Sequence, residues 1–441
     1  MKSKDPTSFK EMIVSGFALF AIFFGAGNLI LPPMMGLKAG NQWPMAFLGF
    51  FLSEVVLIFL GFQAAIRCDA DMPRFAQKVS RHFGLFLMGI IILCIGPLIA
   101  IPRTAATSYE MSIHPFFPNF SPILFSIIFL AVTLFFSINS SKVIDFIGKF
   151  LTPTLLIILG IIIVRGILSP MPVSEHVIGA PIGDGFVQGY QTMDAITSII
   201  MAAMILTHFK DIGLSDPKAI RSQTTKVSLI ACALLALVYG GLTFLGASSA
   251  SYADPSIGRT SLLTTMIETI MGASGKLALA ICTILACLTT SIGLTHSAAI
   301  FFTETSHGKL PYKWVCVVIC LVSFFISLLG VDKIIHYSAP VLSALYPVMI
   351  LLIILNVIDK GQVSHWVYKA SVFCTLIASI VDGLRTFGLT NLSLVKLFDQ
   401  IPLSEYGFSW IFFSFVGLLI GFLLAHFLPE NRSASRVTNT K

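Results

Sequence analysis

Charge is what this sequence has least of: 11% of its 441 residues are Asp, Glu, Lys or Arg, against about a quarter in soluble domains. A chain so poor in charge cannot clothe a water-facing surface. At 56% hydrophobic residues and a mean hydropathy of +0.90 it has the composition of a membrane protein. It also lacks a polar linker or low-complexity tract, so it reads as one domain over residues 1–441. No Walker loop, HExxH, paired CxxC or Ser-centred nucleophile elbow is present. ATP hydrolysis and the common hydrolytic chemistries are therefore without their working parts, and the chain reads as no enzyme and as needing no organic cofactor. The eight cysteines lie almost entirely within apolar runs. They read as small core residues, the i, i+4 pair Cys316 and Cys320 included, because no histidine or carboxylate accompanies that pair.

What the chain has in abundance is apolar runs of about 20 residues, the length that crosses a bilayer. Twelve are expected, near 13–34, 44–66, 84–108, 121–139, 146–168, 185–207, 227–250, 276–302, 314–331, 338–358, 366–389 and 407–428. The first carries Gly25, Gly27 and Pro32 and is followed by eleven more, so it reads as a retained helix and not as a cleaved signal. Short cytoplasmic loops carry the excess of Lys and Arg. With the amino terminus inside, twenty of the 28 cations fall on the cytoplasmic side, in seven separate segments. Twelve helices with both termini cytoplasmic fit that asymmetry, and the net charge of +7 largely reflects it. Cations so dispersed form no stripe for nucleic acid. The implied partners are a lipid bilayer and a small molecule.

The first run is interrupted. FFGAGNLILPP, from Phe23 to Pro33, places glycine, alanine, glycine and asparagine where lipid favours an unbroken helix. Unwound backbone is tolerated at membrane depth only where it is buried or lines a cavity, and the N–H groups it frees can hold an anion such as a carboxylate. The sixth run is interrupted too, at Gly185, Gly189 and GYQTMDAITS. Breaks in helices one and six are what two five-helix units of opposite orientation produce, with a site near the midplane between them. Residues 13–168 and 185–358 would be those units, and helices eleven and twelve, 366–428, additions. Between helices seven and eight, SYADPSIGRTSLLTTMIETIMGASG (Ser251–Gly275) spaces Leu262, Leu263, Met266, Ile267 and Ile270 as an amphipathic helix on the outer face or dipping into a vestibule.

Ionisable residues at depth are costly and tend to be functional or paired. Asp194, about 13 Å into helix six, and Glu54, about 15 Å into helix two, are expected near the midplane. Asp194 either handles substrate or cation or braces the unwound backbone; Glu54 either acts there or is a hydrogen-bonded carboxyl between helices. Arg103, between Pro97 and the end of helix three, reads as a snorkelling or ion-paired residue. Asp382 and Arg385 are spaced to pair with each other, and His296 reads as a hydrogen-bonded core histidine. The stretch ACLTTSIGLTHS in helix eight concentrates hydroxyls and small residues, which suits close packing. It also suits a sodium ion: Thr289 and Thr290 with the Ala286 carbonyl would give half a site, and carbonyls freed near Ala21 and Phe24 the rest. The depths agree, at about 20 Å from the outer end for Thr289 and about 12–17 Å from the inner end for Ala21 and Phe24.

Four segments together, FALFAIFFGAGNLILPPMMGLKAG, GPLIAIPRTAATSYEMS, GYQTMDAITS and ACLTTSIGLTHS, resemble the bacterial branched-chain amino acid symporters, the LIVCS or BrnQ family. The resemblance spans all twelve runs. It implies import of leucine, isoleucine and valine across the bacterial plasma membrane, coupled to sodium or protons by alternating access, on the leucine-transporter fold. By the same resemblance the Ala26 and Gly27 N–H groups would bind the substrate carboxylate, flanked by Gly25 and Asn28. Residues Tyr190, Thr192 and Asp194 would help bound the pocket, and the sodium proposal at Ala21, Phe24, Ala286, Thr289 and Thr290 follows that fold as well. A symporter for another small neutral zwitterion, or a channel, are the alternative readings.

Overall fold

The computed structural model describes residues 9–68, 72–138, 152–168, 172–173, 175, 177–211, 213–359 and 361–428. The start of the fifth expected run, 146–151, and the cations Lys2, Lys4, Lys142, Lys149, Lys360, Arg432, Arg436 and Lys441 lie outside them. Among the described residues the secondary structure is helical, with no strand.

Helices α1 (Phe9–Phe23) and α2 (Ala26–Ala39) make the first run, and α3 (Trp43–Phe51) and α4 (Leu57–Arg67), joined by a π turn over Leu52–Val56, make the second. A short α5 (Met72–Gln77) precedes α6 (Arg81–Leu93) and α7 (Ala100–Ser108). The latter two are joined by a π turn over Cys94–Leu98, in which Gly96 leaves helical geometry ahead of Pro97. That is the bend expected of a proline whose ring clashes with the preceding turn. Next come α8 (Pro122–Ile138), α9 (Thr152–Leu168), the pair α10 (Pro181–Tyr190) and α11 (Asp194–Asp211), and α12 (Pro217–Ala247). Helix α13 (Arg259–Thr305) is folded at Gly272, whose φ of 68° lets residues 259–271 turn off from the long segment that follows. The first segment is the expected amphipathic helix: Leu262, Leu263, Met266 and Ile267 are buried. The chain ends in α14 (Tyr312–Ser327), α15 (Val331–Ile358), α16 (His365–Thr386), a short α17 (Ser393–Phe398) and α18 (Ser409–Phe427).

Each of the twelve expected runs thus contains helix among its described residues, broken at Phe24–Gly25 and at Gln191–Met193. Among the described residues seven helical runs are long and apolar enough to cross a membrane, and the bent pair α10–α11 makes an eighth if it crosses as one span. Helices α1, α8, α9 and α14 are shorter apolar ones. The chain is a multi-pass membrane protein. Its outward faces are apolar where lipid would lie: Phe135 on α8, Ile157 on α9, Phe325 on α14 and Phe422 on α18 are exposed.

The core gathers around α2 and α11. Nearly all of α2 is buried, packed on α12 and α13, while α10 and α11 lie along α3 and α4. Glycine sets these approaches. A Cβ on Gly36 would stand 1.9 Å from the Thr243 carbonyl oxygen, and one on Gly246 2.0 Å from that of Pro33, so α2 and α12 meet backbone to backbone. The same reciprocity joins α3 to α10: Gly49 faces the Ile182 carbonyl at 2.0 Å and Gly185 that of Ala46 at 2.1 Å. Without a hydrophobic drive between helices in lipid, such close packing is what holds them together. Other residues singled out in the sequence are placed as follows: seven of the eight cysteines are buried and Cys374 is partly so. Arg385 pairs with Asp382 at 3.4 Å, and His296 Nδ1 lies 2.7 Å from the Tyr312 hydroxyl.

Gly185→Ala is expected to destabilise by about 1–3 kcal/mol, since the backbones must separate to admit a methyl group. Gly160→Ala, with nothing within 4 Å of its Cβ position, is expected to cause no loss. Thermal unfolding of the two variants in detergent compares them.

Candidate functional site

The first break is two residues wide. Phe24 N–H still reaches the Phe20 carbonyl at 2.8 Å, but Gly25 N–H turns back to Phe23 at 2.8 Å, and Gly25 is extended at φ −107° and ψ −164°. Helix α2 therefore starts anew. The N–H groups of Ala26, Gly27 and Asn28 have no helical carbonyl behind them, no side chain caps them, and all three residues are buried. A helix amino terminus so placed turns the positive end of its dipole into the protein and favours an anion.

The second break spans Gln191 to Met193, where the two helices bend by 44°. Met193 has φ 68°, a left-handed conformation that a bulky residue keeps only when its surroundings enforce it. Asn28 ties the breaks together. Its Nδ2 donates to Asp194 Oδ2 at 2.5 Å and also to the Tyr239 hydroxyl on α12.

Glu54 enters from the π turn in helix two and is 0% exposed. The Thr192 hydroxyl lies 2.5 Å from Glu54 Oε2 and 2.6 Å from the Gly189 carbonyl oxygen. Thr192 thereby links Glu54 to the residue that opens α11, since the Asp194 N–H lies 3.5 Å from the same hydroxyl. Arg103 of α7, 3% exposed, closes the cluster. Its Nη1 donates to the Gln191 carbonyl, its Nη2 lies 2.8 Å from where a Cβ on Gly27 would stand, and its Nε has no hydrogen-bond partner. Glu54 Oε1 and the Tyr346 hydroxyl on α15 are likewise buried without one. One guanidinium, two carboxyls and several open polar valences thus converge on the two breaks. This arrangement can take a small ligand with both charges. A surface cleft of about 400 Å³ lined by Gln42, Met45, Ile182, Tyr406 and Phe408 lies elsewhere, at the ends of α3 and α10.

A family profile described as "Branched-chain amino acid transport protein" matches residues 8–428. The chain belongs to this family. It is 36% identical over 439 residues to the branched-chain amino acid permease BraB of Bacillus subtilis, covering 97% of this chain and 98% of that one. To the branched-chain amino acid transport system 2 carrier protein of Pseudomonas aeruginosa it is 34% identical over 432 residues, covering 96% and 98%. These relatives are transport proteins, and the chain is a member of a transporter family, not an enzyme. Its fold is that of solved transporters. Mhp1, a nucleobase-cation-symport-1 family transporter in a closed conformation, aligns with a TM-score of 0.60 at 14% identity, over 99% of this chain and 98% of that one. A manganese transporter of Eremococcus coleocola aligns at 0.53 with 14% identity, over 99% and 92%.

In this member of the family, Asn28, Thr192 and Asp194 meet at the breaks, beside Ala26 and Gly27. Tyr190 stands behind them: its ring stacks on Tyr346 with centroids 4.5 Å apart, and its hydroxyl is buried without a hydrogen-bond partner. Thr290 faces Gly25, and its Oγ1, 3.4 Å from the Cβ position there, is a buried atom without a hydrogen-bond partner. Thr289 donates to the Ala286 carbonyl at 2.7 Å. Ala21 and Phe24 are buried on the other side of the break.

The reading of Arg103 as a snorkelling or ion-paired residue is corrected. Its helix does not end near Ser108 but continues through a π turn over Tyr109–Ile113, so Arg103 is ten residues, about 15 Å, from the end. Its hydrogen bond goes to a main-chain carbonyl and not to a carboxylate. Tyr239, Tyr346 and Ser338, which donates to Gln191 Oε1 at 3.0 Å, were not singled out from sequence. Nothing distinguishes a buried tyrosine in an apolar run until its neighbours are known. Arg103 had a signal: the residues after it, TAATS, are small and wholly buried, which no lipid-facing helix requires.

Asn28→Ala is expected to destabilise the ligand-free protein by about 1–3 kcal/mol, by removing a donor to a buried carboxyl. Asn28→Asp is expected to cost more, because a third carboxyl then meets Asp194 and Glu54. Unfolding midpoints in detergent order the two.

Proposed function

We propose that this protein is a secondary active symporter that imports leucine, isoleucine and valine across the bacterial plasma membrane, driven by sodium or proton entry. Its twelve spans form two inverted five-helix units, 13–168 and 185–358, with helices eleven and twelve, 366–428, added and both termini in the cytoplasm. Alternating access exposes the site at the two breaks to each side in turn. The observation that carries this reading is the joining of both breaks by Asn28 and Asp194, with a guanidinium and a second carboxyl against them. A zwitterion brings a charge for each. The names of the relatives, branched-chain amino acid permease and carrier protein, support the substrate class.

In this reading the substrate carboxylate meets the Ala26 and Gly27 N–H groups, with Gly25 and Asn28 flanking. The ammonium faces Asp194 and Thr192, and Tyr190 backs the pocket wall. Ala21, Phe24, Ala286, Thr289 and Thr290 hold the sodium ion. The free Thr290 hydroxyl beside Gly25 supports that placement, whereas the buried Glu54 carboxyl, held by Thr192 at the second break, offers a place for a proton.

Purified protein in liposomes is expected to accumulate labelled leucine, isoleucine and valine when an inward sodium gradient or a proton gradient is imposed, each tested alone. Uptake indifferent to both would refute symport. The double variant Thr289→Ala with Thr290→Ala is expected to raise the sodium concentration needed for half-maximal uptake while leaving the order of preference among the three substrates unchanged. An unaltered sodium dependence would remove the proposed cation site.

A further inference from the structure

Among the described residues Arg103 is the one basic side chain of the polar groups that meet the two breaks, and nothing about packing calls for it. It is 3% exposed. Burying a guanidinium carries a heavy desolvation cost unless its donors are matched, yet Nε has no partner and Nη1 bonds only a main-chain carbonyl. The guanidinium lies over Gly27. A Cβ there would stand 2.8 Å from Nη2, 3.1 Å from Cζ and 3.4 Å from Nη1, so the group occupies the space beside the first turn of α2. The free N–H groups of that turn and the Arg103 donors therefore converge. On the far side of Gly27, Asn28 leads directly to Asp194, and Thr192 in the same break leads to Glu54. The positive donors and the carboxyls are thus parted by a single residue of α2.

We propose that Arg103 anchors the carboxylate of the transported amino acid and that Glu54 with Asp194 anchors its ammonium, so that the site admits only ligands bearing both charges. The inference rests on the symport reading above and adds to it a specificity-determining residue. A guanidinium offers paired donors in a plane that matches a carboxylate, which isolated N–H groups at a helix terminus do not. Gly27 is required because any side chain there would displace that plane. Branched aliphatic compounds with only one of the two charges, leucinol or 4-methylpentanoate, leave one buried charge of the site without its counterpart and are rejected for that reason.

The test is displacement of labelled leucine from the purified full-length protein by unlabelled leucine, leucinol and 4-methylpentanoate. Wild type is expected to prefer leucine to leucinol by about 10- to 100-fold, the worth of a charged hydrogen-bonded contact. In R103Q leucine affinity is expected to fall by that factor while leucinol affinity stays within about threefold, so that the preference collapses; R103K is expected to restore part of it. Gly27→Ala, which keeps the arginine and meets only the end of its flexible side chain, is expected to lower the preference as well and serves if R103Q does not fold. If R103Q or, in its place, Gly27→Ala keeps the wild-type ratio, or weakens both ligands equally, the proposal is wrong and Arg103 only braces the break. Leucine uptake by a wild type that binds leucinol equally well would overturn this inference and leave symport standing. Wild type that neither binds nor transports leucine would overturn both.

Discussion

The constraint on which the structure turns is that a polypeptide within hydrocarbon must satisfy its own backbone. Two helices are broken in the middle of this protein, at Phe24–Gly25 and at Gln191–Met193. Each break releases donors and acceptors that have no water to turn to. Side chains supply part of what joins and supports the breaks. Asn28 crosses to Asp194, Thr192 faces both Glu54 and its own Gly189 carbonyl, and Arg103 reaches the carbonyl of Gln191. The breaks and the charges are therefore one device, since each accounts for the presence of the other.

That dependence also explains where irregularity is concentrated. Glu54 is delivered by a π turn, and the helix of Arg103 is interrupted by one at Cys94–Leu98 and extended by another at Tyr109–Ile113. A π turn adds a residue to the ladder and re-aims the side chains beyond it, which is why such turns collect at functional sites. The three helices that bring Asp194, Glu54 and Arg103 together are all irregular close to them. Helices at the periphery, such as α8 and α18, are regular and present apolar faces.

Much of this architecture was legible in the sequence. Each expected apolar run carries helix where it is described, because run length and hydropathy answer to the thickness of the bilayer and not to tertiary detail. The breaks were legible for the same reason: GAGN and GYQTMD are sequences that lipid would not tolerate as buried, regular helix. The amphipathic stretch at Leu262–Ile267 could be read from its period. Arg103 was misplaced because helix length was judged from hydropathy, which falls at TAATSYE although the helix continues through Glu110 to Ile113. Tyr239 and Tyr346 could not be found at all. Their importance lies in which polar atoms they face across the bundle, and a one-dimensional pattern holds no record of that.

The glycine contacts have a bearing on motion. Helices α2 and α12 touch through Gly36 and Gly246, and α3 and α10 through Gly49 and Gly185, backbone against backbone. Such surfaces have no side chains that could yield to let one helix slide past the other. Each pair is therefore a stiff strut, half of a broken helix riding on an unbroken neighbour. Shear within a strut is blocked, which leaves rotation about the joints. The joints are the residues at which the helices are severed, Gly25 and Met193, so under the proposed function the segment that binds and the segment that bends are the same few residues. A ligand seated there would be held by the hinge itself.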